Sequence, residues 1–344
     1  MIIKIGLCIA AAALLFAVLG ISLSPVFFFY YIIKRKDIPA EAFLRGDKPD
    51  RLPGKKGGLT PALPPWIDRV ERQLVEISSH DGLLLRGYYL ACRDAAGRGS
   101  PYTVILAHGY TGNGKQLSSF AEFYYRDLGF NILMPHARAH GASEGAYIGF
   151  GWLDRLDYLR WIDWALSRTK TGASGGGAGI VLHGVSMGAA TVMITAGEAA
   201  LPDEVLAVVE DCGYSSLEDE LYAQMQTRYH IRSSRLMKAT SRISKSKAAY
   251  AFEEVSPLER IRRVKIPVLF IHGDADRFVP FSMVHTLYEA CPASKELFVV
   301  SGARHAEAFG VNPEEYQKRV IQFVQKAIAR GDRITAGAVP GKQP

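Results

Sequence analysis

Short apolar runs spaced along the chain constrain its fold more than any other feature of the sequence. Residues 103–107, 130–134, 180–183, 206–210, 268–271 and 297–300 are too short for helices and lack the polar alternation of a half-solvated strand. Runs of this kind are strands buried on both faces, as in a parallel sheet covered by helices. Stretches with helical periodicity lie between them, around 117–128, 153–166, 187–199, 281–290 and 314–329. Alternating strand and helix units predict an α/β domain with a mostly parallel central sheet and helices on both faces. Ahead of them, residues 70–92 alternate apolar and polar around Ser79-His80-Asp81-Gly82 and predict a hairpin.

The N-terminus departs from this pattern. Residues 5–33 hold no charged side chain and are rich in Leu, Ile, Ala and Phe. A membrane-spanning helix needs about 20 such residues, so the run is long enough with tilt to spare. The aromatic group at 27–31, backed by Lys34, Arg35 and Lys36, reads as an interfacial belt with basic anchors. A cleaved signal peptide is the alternative, but its apolar region spans about 7–15 residues, and no clear A-x-A site closes this run. Pro25 either kinks the helix or marks its end. The expected organisation is a single-pass membrane anchor over 1–36, a Pro/Gly-rich linker over 37–69, an α/β domain over 70–330 and a disordered tail over 331–344. Lys34, Arg35 and Lys36 outweigh Lys4 and favour a cytoplasmic domain, while one lysine ahead of the segment also suits an exported one, so sidedness stays open. Cys8 lies in the apolar run, and Cys92, Cys212 and Cys291 have neither disulfide-framework nor zinc-ligand spacing.

A formal net charge of +7 points to anionic surfaces, and no helix-turn-helix, zinc finger or aromatic RNA-binding signature accompanies it. Nucleic acid is not an expected partner. Within residues 228–247 there is no acidic residue, and Arg228, Arg232, Arg235, Lys238, Arg242 and Lys245 recur at three- and four-residue steps. That spacing sets them on one helical face. The segment reads as part of a helical lid, about 214–255, with a basic side that is either solvated or rests on anionic lipid.

Chemistry concentrates in two glycine-rich turns. Gly109 to Lys115 (GYTGNGK) is one residue short of the phosphate-cradling G-x-x-x-x-G-K-[S/T], with Gln116 where a hydroxyl should hold Mg²⁺. Residues 206–211, ending in Asp211, could imitate the acidic strand of such an NTPase. The second turn is Gly184-Val185-Ser186-Met187-Gly188, between an apolar run and a small-residue helix. G-x-S-x-G in that context is a nucleophile elbow, a turn so sharp that the serine is strained and its flanks must be small. A serine needs a base to take its proton and a third group to orient that base. Chain order in this architecture is Ser, acid, His. Residues 268–280 (VLFIHGDADRFVP) offer Asp274 or Asp276 on a loop after a strand, with Asp211 a further candidate, and residues 299–309 offer His305. All these loops fall at strand carboxyl ends, where open α/β sheets bind their ligands. His108, His183 and His272 each precede a glycine at a strand end and read as loop holders. His136 and His140 have the i, i+4 spacing of a metal pair, but they lie in a loop without a third ligand, so no metal is expected.

The chain resembles the α/β-hydrolase superfamily, most of all bacterial membrane-anchored serine hydrolases of the esterase and serine-peptidase-like branch. The resemblance rests on His108–Asn113 (HGYTGN), His136–Gly145, G-x-S-x-G, His272–Pro280 (H-G-x-x-D-x-x-V-P) and Gly302–His305 (G-x-x-H), in that order. It implies an α/β-hydrolase fold with Ser186 as nucleophile, Asp276 as acid and His305 as base. It also implies backbone amides of Tyr110 and Met187 as an oxyanion hole, which explains the first glycine-rich turn without a nucleotide. The expected activity is hydrolysis of a carboxylic ester, lipid-derived ester or thioester through an acyl-enzyme. Peptidase or amidase chemistry on the same residues is the alternative, and a non-catalytic binding protein on this fold a further one. No cofactor is implied. A small-molecule or lipid-like acyl substrate and the membrane are the expected partners, and the sequence does not indicate an oligomeric state.

Overall fold

In a computed structural model of the chain, residues 22–35, 66–170 and 178–337 are described. Strands β1 (Gln73–Ser78), β2 (Leu84–Leu90), β3 (Tyr102–Ala107), β4 (Asn131–Pro135), β5 (Gly179–Val185), β6 (Val205–Asp211), β7 (Val268–Gly273) and β8 (Lys295–Val300) form a single sheet in the order β1-β2-β4-β3-β5-β6-β7-β8. β2 pairs antiparallel with both β1 and β4, and every other pairing is parallel. The helices are α1 (residues 22–32), α2 (Ser118–Arg126), α3 (Asp154–Lys170), α4 (Met187–Ala196), α5 (Leu217–Tyr229), α6 (Ser234–Ala248), α7 (Pro257–Ile261), α8 (Ser282–Ala290), α9 (Ala308–Val311) and α10 (Pro313–Gly337).

Residues of the central strands alternate between two cores, as the pleat requires. Val104, Leu106, Val181 and Val185 face Tyr124 of α2 and Tyr316, Val320 and Phe323 of α10. Ile105, Ala107, Ile180 and Leu182 face Tyr158 and Trp161 of α3, Val192 and Met193 of α4, and Val284 and Leu287 of α8. Both faces are covered, which is why these strands read as unbroken apolar runs. Strand β8 departs from expectation: only Val300 is buried, because β8 ends the sheet and has a neighbour on one side alone.

A third core holds the lid. Helix α5 is capped by the Ser216 hydroxyl, which accepts from Asp219 N, and α6 by Ser233, which accepts from Leu236 N. Tyr214, Leu217, Tyr250 and Phe252 of the lid pack with Phe150, Met187 and Ala190. The single basic helical face expected over 228–247 is corrected: Arg228 ends α5, the chain turns at His230 with φ 55°, Arg232 lies in the connection, and only Arg235, Lys238, Arg242 and Lys245 belong to α6, although all six are exposed.

The N-terminal segment corrects the expectation drawn from its composition. Residues 1–21 and 36–65 lie outside the described residues, and no helix among those described is long and apolar enough to cross a membrane. Residues 22–35 dock on the α/β domain. Phe29 and Ile33 of this segment are fully buried in the lid core. Lys34 bridges to Tyr147, Ile148 N donates to Ile33 O, and the Arg35 guanidinium donates to the carbonyls of Gly141 and Ser143. Phe29 is therefore a packing residue and Arg35 a docking residue, not members of a lipid-facing belt. Trp66 and Ile67, expected in the linker, are buried, with the Trp66 ring 5.4 Å from that of Tyr125. At the other end α10 continues to Gly337, past the expected boundary at Arg330, and residues 338–344 of the expected tail are outside the described residues.

Candidate active site

Ser186 sits between β5 and α4 with φ 58° and ψ −118°, a conformation that costs a non-glycine residue about 1–3 kcal/mol. The flanking glycines make the turn possible. A Cβ on Gly184 would come within 2.2 Å of Gly188 O, and one on Gly188 within 2.0 Å of Ala107 O. Ser186 N donates to Asp211 O at the end of β6, which fastens the turn to the next strand.

His305 and Asp276 reach this serine from the loops after β8 and β7. Ser186 Oγ lies 2.8 Å from His305 Nε2, and His305 Nδ1 lies 2.8 Å from Asp276 Oδ2. Asp276 is 4% exposed, and burial alone would raise its pKa. Hydrogen bonds from His272 and His305 outweigh the effect of burial and hold the carboxyl at about 2. Its Oδ1 accepts from Phe278 N and Val279 N. A carboxylate so held accepts a hydrogen bond from Nδ1–H of His305, which fixes the tautomer and leaves Nε2 as an acceptor for the serine hydroxyl.

The competing carboxylates have other occupations. Asp274 accepts from Gly302 N (2.6 Å) and Ser301 Oγ (3.1 Å), so it fastens the loop that carries His305. Asp211 accepts from the Tyr316 hydroxyl at 2.9 Å, in a fully buried position where burial raises it to about 6.

The loop after β3 lies beside the serine: a Cβ on Gly109 would sit 3.4 Å from Ser186 Cβ and 3.8 Å from its Oγ. Tyr110 follows. Met187 opens α4, where backbone N–H groups have no intrahelical acceptor. Lys115 turns away to Asp68 at 3.2 Å, which leaves the glycine-rich loop without the lysine a phosphate would need.

Two buried histidines hold this loop. His108 Nε2 accepts from Ala137 N, so Nδ1 carries the proton and donates to Gly109 O at 2.8 Å. His140 Nε2 accepts from Thr111 N while Nδ1 donates to Arg138 O. Burial lowers His108 to about 3 and His140 to about 4, so both are uncharged at neutral pH. His140 is thus a loop holder like His108, and both of its nitrogens are engaged. His272 does more than its expected role. Its Nε2 lies 3.2 Å from Asp276 Oδ2, making it a second imidazole partner of that carboxylate. The H-x-x-x-D spacing was visible in the sequence, but not that the strand end would turn the two side chains together.

Among the described residues two clusters could present three metal ligands. One is Cys212 with Asp276 and His305 themselves; the other is His80, Asp81 and Asp157. In the second, the Arg138 guanidinium already bonds both carboxylates at 2.7–3.0 Å. His305 is 21% exposed at its side chain and opens on a cleft lined by Ala275, Arg277, Phe278, Arg304 and Glu307.

The sheet order, the strained serine turn and the loops at the strand ends define an α/β-hydrolase fold. The family model of the prolyl oligopeptidase family matches residues 117–331, and the chain belongs to that family. The chain is 30% identical over 258 residues to the uncharacterized protein YqkD of Bacillus subtilis, a match covering 75% of this chain and 81% of that one. Among solved structures it is similar to the esterase Pf2001 of Pyrococcus furiosus, with 25% identity and a TM-score of 0.61, over 81% of this chain and 99% of that one. The acylaminoacyl peptidase of Pyrococcus horikoshii shares the fold, with 17% identity and a TM-score of 0.53, over 74% of this chain and 41% of that one.

Proposed function

We propose that this protein is a serine hydrolase that cleaves a carboxylic ester, with Ser186 as nucleophile, His305 as base and Asp276 as its orienting acid. The observation that carries the reading is the unbroken path of 2.8 Å contacts from Ser186 Oγ through His305 to Asp276. In the first half-reaction His305 Nε2 takes the hydroxyl proton as Ser186 Oγ attacks the carbonyl carbon. The oxyanion that forms is held by the backbone amides of Tyr110 and Met187. Collapse breaks the bond to the leaving alkoxide, which receives the proton from His305. A water deprotonated by His305 then attacks the acyl-enzyme, and the acid leaves as Ser186 regains its proton.

The likeness to an esterase over 99% of that chain supports an ester substrate, whereas the likeness to the peptidase covers 41% of its chain. Family membership supports the second reading, a peptidase or amidase on the same residues. Attachment to a membrane belongs to the proposal through residues 5–21, the uncharged part of the N-terminal run that precedes the docked segment.

A fluorophosphonate probe tests the chemistry. Wild-type protein is expected to label at Ser186, and Ser186→Ala and His305→Ala to lose labelling. Folded wild-type protein that does not label, or Ser186→Ala protein that still does, overturns the reading. Turnover of p-nitrophenyl acyl esters beside matched p-nitroanilides then separates ester from amide chemistry.

A further inference from the structure

Helix α1 has two faces. Phe29 and Ile33 of the N-terminal segment are buried, while Leu23, Val26, Phe27, Tyr30 and Tyr31 are between 38% and 65% exposed. Those five are half of the large hydrophobic residues exposed among the described residues, gathered on one short helix. A sixth, Tyr229 at the end of α5, joins them, with its ring 5.9 Å from Phe28 and 6.4 Å from Tyr31. Scattered apolar side chains need no explanation, but a contiguous patch does. Cations rim this one. Lys34 of the same segment and Lys247 of α6 each stand 5.9 Å from the Tyr30 ring. From Tyr229 onward the chain carries Arg232, Arg235, Lys238 and Arg242, all exposed. Among the described residues, Lys245 of the basic face is held in an ion pair, with Glu254 at 2.8 Å.

We infer that the outer face of α1, with Tyr229 and the basic side of α6, is a docking surface for an anionic lipid bilayer. Aromatic rings with adjacent Lys and Arg match the headgroup boundary, where rings enter the acyl edge and cations meet phosphate. Residues 5–21, which carry no charge, lead directly into this patch, so the apolar chain outside the described residues ends where the surface begins. A second copy of the chain is a poor occupant, since facing copies would oppose like charges. The inference goes beyond the hydrolase reading and does not depend on it.

The test uses the full chain in bilayer nanodiscs of phosphatidylcholine, alone or mixed with phosphatidylglycerol. In a Cys8→Ser background, Tyr229→Cys carries a nitroxide whose collisions with oxygen and with an aqueous nickel chelate are compared. Oxygen access above nickel access is expected in phosphatidylglycerol bilayers and a reversal in phosphatidylcholine alone. Combining Arg232→Glu, Arg235→Glu and Arg242→Glu should lower the docked-to-undocked ratio on the order of 100-fold. The corresponding glutamine variants should give the same direction if the glutamate set fails to fold, with circular dichroism as the check. A label that meets nickel chelate equally in both bilayers overturns the proposal. So does spin–spin broadening without lipid, which would make a second copy the occupant. The readout involves no turnover and is independent of whether Ser186 is reactive.

Discussion

At the scale of single residues, three carboxylates near the serine are separated by what they bond. Asp276 faces imidazole nitrogens, Asp274 faces a loop amide and a serine hydroxyl, and Asp211 faces a tyrosine. Asp276→Asn should keep the fold and lower kcat about 10⁴-fold, because the amide favours the wrong His305 tautomer. Asp274→Asn should instead cost about 1–2 kcal/mol in unfolding free energy and leave the fluorophosphonate labelling rate within a few-fold. Equal losses of labelling in the two variants would contradict the assignment. Ser186, Asp276 and His305 were legible because each sits on a short motif at the end of an apolar run. His140 and His272 were not, since a buried histidine is defined by partners that only the folded loops supply.

At the scale of elements, the grip of α1 on the loop after β3 is the least legible feature. An apolar run without polar interruptions has no periodicity to say whether a face meets lipid or protein, so Phe29 and Phe27 look alike until the fold buries one of them. The Tyr110 hydroxyl donates to Ile32 O at 2.8 Å, and its ring stacks 5.4 Å from that of Phe150. Tyr110→Phe removes that bond and keeps the backbone amide. A hydrogen bond of this kind contributes about 1 kcal/mol, so labelling of Ser186 should slow about fivefold. An unchanged rate in the variant would mean that α1 does not position the loop. The basic face of α6 was legible from Arg235 onward, by contrast, because charge at three- and four-residue steps survives as a pattern whatever the helix packs against, but the break at His230 that parts it from Arg228 was not.

At the scale of the molecule, the sheet and its two helical layers follow from the alternation of apolar runs, while strand order does not, because periodicity carries no information about neighbours. Burial also sets how stability depends on pH. Glu220 of α5 is 5% exposed, and burial raises its pKa to about 8. The native state therefore holds a proton that the unfolded state releases near pH 4, and stability falls as pH rises through the native value. Four buried histidines, His108, His136, His140 and His183, act in the opposite sense below about pH 6.5, where the unfolded state takes up protons and the native state does not. Above about pH 6.5 the raised acid lowers stability as pH rises, and the thiols of Cys92, Cys212 and Cys291, pushed up by burial, add to the decline in the same direction. The urea midpoint should decline from there to pH 9, and Glu220→Gln should flatten the decline, with little effect at pH 5. A midpoint in Glu220→Gln that tracks wild type across this range would refute the assignment.

The docking of α1 also bears on how the chain is made. Arg35 binds the carbonyl of Ser143, which lies 108 residues later in sequence. Synthesis proceeds at about 5–20 residues per second, so α1 waits roughly 5–20 s before its protein partner exists. During that interval its aromatic face needs another companion. A nascent chain that gives α1 one first, and then trades part of that contact for the lid core, brings Ser186, His305 and Asp276 together only after its first segment has been placed.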